Sequence, residues 1–446
     1  MIKVLDNSEI SIFDYIYMTI MYIYMCQNSK ITSVMVGLPA DQSLFFGLIP
    51  ILLTYVFILV NRKKSSIYIN NNLLNVIGIF SVWFVCQLIK YDFSGFVPFF
   101  FIIYAIIIAN IHVRILGKKI FYIYENITVF FSKISLILWL FAVLAPTIAT
   151  PFFKSFPVSD YGYFGNNFLF IFTWMDSELG QMYGGILRNA GPSWEPGRFA
   201  VILLLGITFN FMRNGVKLKG NANFIWMLIA LVSTQSTTGY CIFFFLLLYF
   251  MINRISVLDF IKFSLFLIPL VYVWFGVDFL GDKVAMQTDV ETYTTKYEQQ
   301  IDFAESNKDS EYRISLDRIV SMKLEFLNII NDPLLGYGKK NQNSYVYDKI
   351  SEKISLTGGL LKLFSQFGIP LALILYYLLF KSSIIISKDF GCNKKYAIFF
   401  CFVLSTISYD MSFVPLYMSI WFYGIIKYDN HKYTNENLYS NYRSIP

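Results

Sequence analysis

The chain has 446 residues, of which 56% are hydrophobic and only 15% are charged. A soluble domain carries about 25% charged residues, and many continuous apolar segments here reach the roughly 20 residues that cross a bilayer. This composition excludes an ordinary soluble protein, and the continuous apolar runs exclude a transmembrane β-barrel, whose strands alternate. We predict an all-α polytopic membrane protein in which residues 1–446 form a single integral membrane domain.

The apolar segments predict about twelve transmembrane helices. These are residues 10–26, 41–60, 72–90, 95–116, 128–150, 196–212, 223–235, 239–252, 258–280, 357–381, 396–410 and 413–427. Two long loops separate them, at residues 151–195 and 281–355.

Lysines and arginines set the predicted orientation. They concentrate in alternate short loops, at residues 62–64, 114–119, 213–219, 254 and 381–395. Because positive residues favour cytoplasmic loops, both termini are predicted to be cytoplasmic and both long loops to lie outside. The net charge of +7 then indicates contact with anionic lipid, and we predict no nucleic-acid partner.

The second long loop contains one predicted helix. Its apolar residues recur at helical spacing and are Leu316, Ile319, Val320, Phe326, Leu327 and Ile330. This pattern is typical of an amphipathic helix that lies along the membrane surface with its apolar stripe towards lipid. Its notable polar residues are Arg313, Arg318 and Glu325, and Asp332-Pro333 is expected to end it.

The stretch at residues 188–198 contains the residues best suited to binding or catalysis. Glycines and prolines at 191, 192, 196 and 197 predict a shaped loop that runs into the apolar helix beginning near Phe199. Arg188, Arg198 and Glu195 therefore lie at the mouth of a membrane helix, where charges are costly unless they are paired or functional. Two guanidiniums beside a helix start would bind a phosphate well.

External acid–base and metal chemistry is limited by the composition. The two histidines, His112 and His431, fall on the predicted cytoplasmic side, and no external residues have metal-ligand spacing. We therefore predict no metal and no cofactor. The external cations that remain are Arg188, Arg198, Arg313 and Arg318, and several arginines around one cavity would stabilise a pyrophosphate leaving group. The alternative is that Arg188 and Arg198 pair with Glu195 or lipid head groups and only fix the loop.

Glu195 has two possible roles. It could accept the proton of an attacking sugar hydroxyl, or it could orient Arg188 or Arg198 through a salt bridge. A carboxylate beside two guanidiniums is a weak base, which favours the orienting role. Other external acids are Asp176, Glu178 and Asp410. The hydroxyl-rich segment at 234–239 is interpreted first as a tight turn that caps helix ends, and second as a polar floor under the site.

Three stretches resemble a known family. Residues 188–191 with 195–200 look like an Arg–Gly loop entering a helix, and residues 236–239 look like a polar turn between short helices. Residues 317–319, followed by 332–338 and 366–369, complete the pattern, with Pro333 fifteen residues after Arg318. In order and spacing they resemble the O-antigen polymerase (Wzy) and O-antigen ligase superfamily of bacterial envelope glycosyltransferases.

The resemblance implies a metal-independent glycosyltransferase with a GT-C-like fold at the periplasmic face of the bacterial inner (plasma) membrane. Its donor and acceptor would be glycans on undecaprenyl pyrophosphate, and a chain-length co-polymerase would be a possible partner. Arg188 and Arg318 match the family's arginines that are thought to bind pyrophosphate. In our hypothesis Arg188, Arg198 and Arg318 hold the donor pyrophosphate with Arg313 in support, and Glu195 orients them or takes the acceptor proton.

One departure separates the polymerase from the ligase. Ligases of this superfamily carry a His-Asn pair where this chain has Leu356-Thr357-Gly358-Gly359. The missing histidine favours a polymerase of repeat units for O-antigen or capsule. A flippase for the same lipid-linked oligosaccharide, or the ligase itself, remain the alternatives.

Overall fold

A computed structural model describes residues 10–27, 43–61, 68–91, 96–156, 165–175, 187–252, 298, 314–315, 318–338, 343–346, 354–355, 359–407, 409 and 413–427. These residues form a mostly helical protein with little sheet, which confirms the predicted helical class. Three helices are long and apolar enough to cross a membrane, namely Asn71–Lys90, Lys119–Leu144 and Gly359–Asp389.

The helices are numbered in chain order. They are α1 (Ile12–Gln27), α2 (Ser43–Val60), α3 (Asn71–Lys90), α4 (Phe96–Leu116), α5 (Lys119–Leu144), α6 (Pro146–Lys154), α7 (Pro196–Asn214), α8 (Ala222–Ser233), α9 (Thr237–Met251), α10 (Arg318–Asn331), α11 (Gly359–Asp389), α12 (Ala397–Thr406) and α13 (Pro415–Trp421). The predicted segment at 258–280 lies outside the described residues.

The largest difference from the predicted bounds concerns α5. The sequence predicts a helix from residue 128, because charged and amide residues precede it, whereas α5 begins at Lys119. The early turns are stable because Glu125 is buried and accepts hydrogen bonds from the Arg213 guanidinium at 2.5 Å and from the Asn210 amide at 2.7 Å. A buried carboxylate is tolerated when it is paired in this way.

The first long loop contains regular structure. Helix α6 follows α5 after a break at Ala145, and strands β1 (Asn166–Phe168) and β2 (Phe172–Trp174) form an antiparallel hairpin. Phe153 of α6 packs with Phe172 and Trp174 of the hairpin in a small separate apolar cluster. The predicted loop at 151–195 therefore starts inside a helix and packs against the outer part of α5.

Helix α7 is the centre of the molecule. From Phe199 to Met212 every residue is buried. A helix that is apolar all round must be enclosed by other elements, and α7 is surrounded by α5, α8, α9 and α12. The loop that carries Arg188 and Arg198 is thus attached to the most rigid part of the fold.

Contacts between helix ends define two ends of the bundle. At one end, which we call the arginine end, Arg198 at the start of α7 contacts Met25 at the end of α1, and Arg188 contacts Thr234 at the end of α8. At the opposite end, Arg213 pairs with Glu125. Asn70, before α3, also donates there to the carbonyl of Ile425 at 2.9 Å.

The segment that leads into α10 and the segment that leads into α11 lie side by side. Strands β3 (Ile314–Ser315) and β4 (Ile354–Ser355) pair in parallel, with Ile314 opposite Ile354. Glu325 of α10 contacts Ser365 of α11, which is the same offset of 40 residues. Helices α10 and α11 therefore run in the same direction where they pack together.

Candidate functional site

The loop that ends at α7 is built around Asn189. Its backbone N–H donates to the carbonyl of Ser233 at 2.9 Å, and its buried side chain donates to the hydroxyl of Ser233 at 2.9 Å. Its side-chain oxygen accepts the N–H of Gly191 at 2.9 Å. Gly191 has φ +54°, and a Cβ there would lie 2.5 Å from the ring of Phe199. The sequence between the arginines thus encodes one defined loop shape, as predicted.

This loop is recessed into the helix bundle. Trp139 of α5 donates its indole N–H to the carbonyl of Leu187 at 2.6 Å, and Asn189 contacts Ser135 one turn earlier in α5. Since α5 continues to Leu144, it extends about 13 Å beyond Ser135 at 1.5 Å per residue. The two arginines that flank the loop therefore lie below the end of α5.

Arg188 and Arg198 each contact the carboxyl end of another helix. The Nε of Arg188 donates to the carbonyl of Thr234 at 3.1 Å, at the end of α8. The Nη2 of Arg198 donates to the carbonyl of Met25 at 2.8 Å, in the last turn of α1, and its guanidinium lies 5.6 Å from the ring of Trp194. Helix C-termini present unsatisfied carbonyls and a negative dipole end, so they hold cations well. These hydrogen bonds therefore fix the position of each guanidinium.

Glu195 contacts a residue that the sequence did not indicate. It is the residue before α7, with Pro196 at the first helical position as predicted. Its carboxylate accepts a hydrogen bond from the hydroxyl of Tyr409, which follows α12. The expected salt bridge from Glu195 to Arg188 or Arg198 is not among the ion pairs of the described residues, so the phenol takes that position.

The segment at 234–239 is a tight, capped turn, in agreement with the first of its two interpretations. The N–H of Gly239 donates to the hydroxyl of Ser236 at 3.2 Å, which caps α9, and Gln235 has φ +49°. A Cβ on Gly239 would lie 2.8 Å from the Cβ of Ala200, so this glycine lets α9 approach α7. The same turn supplies the Thr234 carbonyl that holds Arg188.

The helix predicted in the second long loop is α10, but a polar residue dominates its buried face. Glu325 is 0% exposed and accepts hydrogen bonds from the Ser365 hydroxyl and from the Asn328 amide. Val320 of the predicted apolar stripe is buried, whereas Phe326 and Ile330 are 53% and 58% exposed. The predicted stripe is therefore divided between two faces, because α10 docks on α11 through Glu325.

The turn after α10 is bonded to a break in α11. Helix α11 is interrupted at Gly368, which has φ 75° and ψ 164°. Across this break the N–H of Ile369 donates to the carbonyl of Pro333 at 2.8 Å, and the N–H of Tyr337 donates to the carbonyl of Ser365 at 2.9 Å. A Cβ on Gly368 would lie 1.9 Å from the carbonyl oxygen of Leu334. The stretches at 332–338 and 366–369 thus form one unit, which we call the α10–α11 clasp.

The last turns of α3 secure the clasp from the other side. The Gln87 amide donates to the carbonyls of Leu335 and Gln366, and Trp83 donates to the carbonyl of Phe367 at 2.8 Å. The Asp332 carboxylate forms an ion pair with Lys90 and accepts a hydrogen bond from the Tyr91 hydroxyl at 2.6 Å. Burial, and then the hydrogen bond to Asp332, raise the pKa of Tyr91, so the phenol remains a donor at neutral pH.

The start of α11 packs on Tyr409, because a Cβ on Gly359 would lie 2.7 Å from the Tyr409 carbonyl carbon. Arg318 is the first residue of α10, which packs on α11. The side chain of Arg318 and all of Arg313, Asp176, Glu178 and Asp410 lie outside the described residues.

The fold and site define a mostly helical protein with three helices able to cross a membrane and an arginine-bearing loop recessed at one end. Comparison with protein-family models, with curated proteins and with solved structures finds no match to this chain.

Among the described residues, no three His, Cys, Asp or Glu side chains are grouped as a metal site. His112, expected at an interface, is buried between Tyr17 and Ser419.

Two contributions to the site were not predicted from the sequence. Tyr409 follows α12, and nothing in its immediate sequence indicates that its hydroxyl reaches Glu195. The residues of α3 that bind the clasp, Gln87 and Trp83, lie 279 and 284 residues from their carbonyl partners in α11. A polar Gln inside an apolar helix was the one available signal, since such residues are costly in a membrane unless they are bonded.

Proposed function

We propose that this chain is a metal-independent glycosyltransferase that polymerises undecaprenyl-pyrophosphate-linked oligosaccharide repeat units into O-antigen or capsular polysaccharide. It would have a GT-C-like fold with about twelve transmembrane helices and both termini in the cytoplasm. Its site would face the periplasm from the bacterial inner membrane, and a chain-length co-polymerase would be its partner.

One observation carries this proposal. The three stretches that resemble the family are far apart in sequence, yet they are linked through contacts at the arginine end. The turn at 234–239 holds Arg188, and the Tyr409 hydroxyl donates to Glu195. Gly359, at the start of α11, packs on Tyr409, and α11 packs on α10. Unrelated sequences that match short motifs by chance would not be expected to bring those motifs together.

The chemistry of the arginine end suits a pyrophosphate leaving group. Negative charge grows on the bridging oxygen as the glycosidic bond to phosphate breaks, and guanidiniums held in place beforehand stabilise it without reorganisation. The carbonyls of Met25 and Thr234 provide this fixation for Arg198 and Arg188. In this proposal Arg313 and Arg318 of the second loop complete the site around the pyrophosphate.

The recessed position of the loop also favours a lipid-linked substrate. A pyrophosphate that is attached to a polyprenyl chain stays near the membrane surface, and a site about 13 Å below the end of α5 can meet it there. A soluble sugar nucleotide would not require a recessed site.

The first test is a deletion strain analysed by gel electrophoresis of its surface glycan. We expect lipid core with a single repeat unit and no ladder. Single lipid-linked units retained on the cytoplasmic face would indicate a flippase instead, and finished polymer that stays on its lipid carrier outside the inner membrane would indicate a ligase. An unchanged ladder would refute all three functions.

The second test is Arg318→Ala in the full-length protein. We expect loss of the ladder while an immunoblot of the membrane fraction shows an unchanged amount of protein. A matched control is Lys323→Ala, which removes an exposed cation from α10 itself and should leave the ladder intact. A normal ladder with Arg318→Ala would remove this arginine from the proposed site.

A further inference from the structure

Tyr409 is positioned by two glycines from different helices. A Cβ on Gly197, in the first turn of α7, would lie 2.3 Å from the Tyr409 hydroxyl oxygen, and a Cβ on Gly359 would lie 2.5 Å from the carbonyl oxygen of Thr406. The backbone N–H of Tyr409 donates to the carbonyl of Ser405 at 3.1 Å. The fold thus leaves space at the start of α7 that the phenol fills.

The phenol meets one carboxylate oxygen of Glu195. Its hydroxyl donates to Oε1 of Glu195, while Arg198, on the next turn of α7, is directed to the end of α1 at Met25. The argument against Glu195 as a base rested on its pairing with guanidiniums. In this structure its described hydrogen-bond partner is the neutral phenol of Tyr409, which fixes the orientation of the carboxylate.

We propose that Tyr409 is a positioning residue that holds the Glu195 carboxylate as the base for the acceptor hydroxyl. This inference rests on the proposed polymerase function. The proton of the acceptor sugar hydroxyl passes to Glu195 as its oxygen bonds to the anomeric carbon of the donor. The bond from that carbon to the pyrophosphate oxygen breaks, and its electron pair leaves with undecaprenyl pyrophosphate. Glu195 then releases the proton to water.

The geometry explains why a base can operate without histidine. General-base catalysis requires a carboxylate whose direction is set before the substrate arrives, and a hydrogen bond from a rigid neighbour sets it. Tyr409, which follows α12, supplies that bond, whereas Arg188 and Arg198 bond to the ends of α8 and α1. In this proposal Arg188 and Arg198 stabilise the leaving group, and Glu195 of the same loop takes the proton of the acceptor.

The test uses full-length purified protein in proteoliposomes and lipid-linked repeat units extracted from the deletion strain. Tyr409→Phe removes only the hydroxyl and keeps the ring. We expect kcat to fall about tenfold or more, with KM for the lipid-linked unit within about twofold, because the arginines that hold the pyrophosphate are untouched. Tyr124→Phe is the control, since it removes a hydroxyl that donates to the α7 carbonyl of Ile202 at 3.2 Å. It should change neither constant more than about twofold.

A second variant, in α7, disrupts the hydrogen bond between Tyr409 and Glu195 without changing Tyr409 itself. Gly197→Ala places a methyl group where the Tyr409 hydroxyl lies, and we expect the same loss of kcat, so the test does not depend on one variant folding. The combination of Tyr409→Phe with Glu195→Gln should be no slower than Glu195→Gln alone, because a residue that acts only through Glu195 adds nothing once the base is absent.

The outcomes separate this inference from the proposed function. If the wild-type protein forms no polymer from the extracted units, the polymerase function itself is wrong. If the wild type polymerises but Tyr409→Phe and Gly197→Ala keep kcat within twofold, the function stands and Tyr409 has no positioning role. A raised KM with unchanged kcat would also overturn the inference, since it would assign Tyr409 to substrate binding.

Discussion

Gly368→Ala tests how the α10–α11 clasp is held together. Gly368 has φ 75° and ψ 164°, a conformation that is essentially restricted to glycine and costs other residues about 1–3 kcal/mol. The added Cβ would lie 1.9 Å from the carbonyl oxygen of Leu334, so the turn must move away. That movement breaks the backbone hydrogen bonds from Ile369 to Pro333 and from Tyr337 to Ser365, at about 1 kcal/mol each.

These contributions sum to a loss of about 4 kcal/mol in the free energy of unfolding. The control is Gly391→Ala, in the turn between α11 and α12. Gly391 also has a positive φ, +63°, but no atom lies within 4 Å of its added Cβ, so only the backbone strain of about 1 kcal/mol applies. The difference between the two variants, about 3 kcal/mol, comes from the two lost hydrogen bonds and the larger backbone strain at Gly368.

The assay is unfolding of the purified protein in mixed micelles with increasing denaturing detergent, followed by tryptophan fluorescence. Both variants are measured beside the wild type at one lipid-to-detergent ratio. Equal destabilisation by Gly368→Ala and Gly391→Ala would refute the reasoning, because it would show that the clasp does not approach Gly368 closely.

Two further predictions concern charged residues that the structure fixes in place. Glu125→Ala removes a buried carboxylate that pairs with Arg213, whose side chain is 29% exposed, and should cost about 1–3 kcal/mol of stability in the same assay. Lys90→Ala, which removes an ion-pair partner with 40% side-chain exposure, should cost less than about 1 kcal/mol. Equal losses would contradict the burial argument. Arg198→Lys should abolish the polymer ladder at unchanged protein level, because one ammonium cannot match the planar fork of a guanidinium at both Met25 and a phosphate. A normal ladder would reduce Arg198 to a structural role.

The sequence predicted most helices because apolar length is a local property. Helices α3, α4, α7 and α9 begin and end within two residues of the predicted segments. The sequence analysis placed the start of α5 nine residues too late, at residue 128 and not at Lys119. Its polar residues are tolerated because Glu125 meets Arg213 and Asn210, which lie 88 and 85 residues away in sequence.

The candidate site, too, was only partly predictable from the sequence. The loop with Gly191, Pro196 and the two arginines was recognisable in sequence, because glycines and prolines restrict the backbone locally. The contacts of the charged side chains could not be predicted from the sequence. Arg188 and Arg198 hold helix ends, and Glu195 meets Tyr409 instead of either arginine.

The sequence by itself determined the helical class, the position of the special loop before α7 and the residue types available for chemistry there. These depend on hydrophobicity and backbone preferences that act over a few residues. Only the tertiary structure decided that the loop is recessed along α5, that the turn after α10 and the break in α11 form one clasp, and that the phenol of Tyr409 holds Glu195. Hydrogen bonds between distant segments depend on how the helices pack, and that packing is set by contacts that lie hundreds of residues apart in the chain.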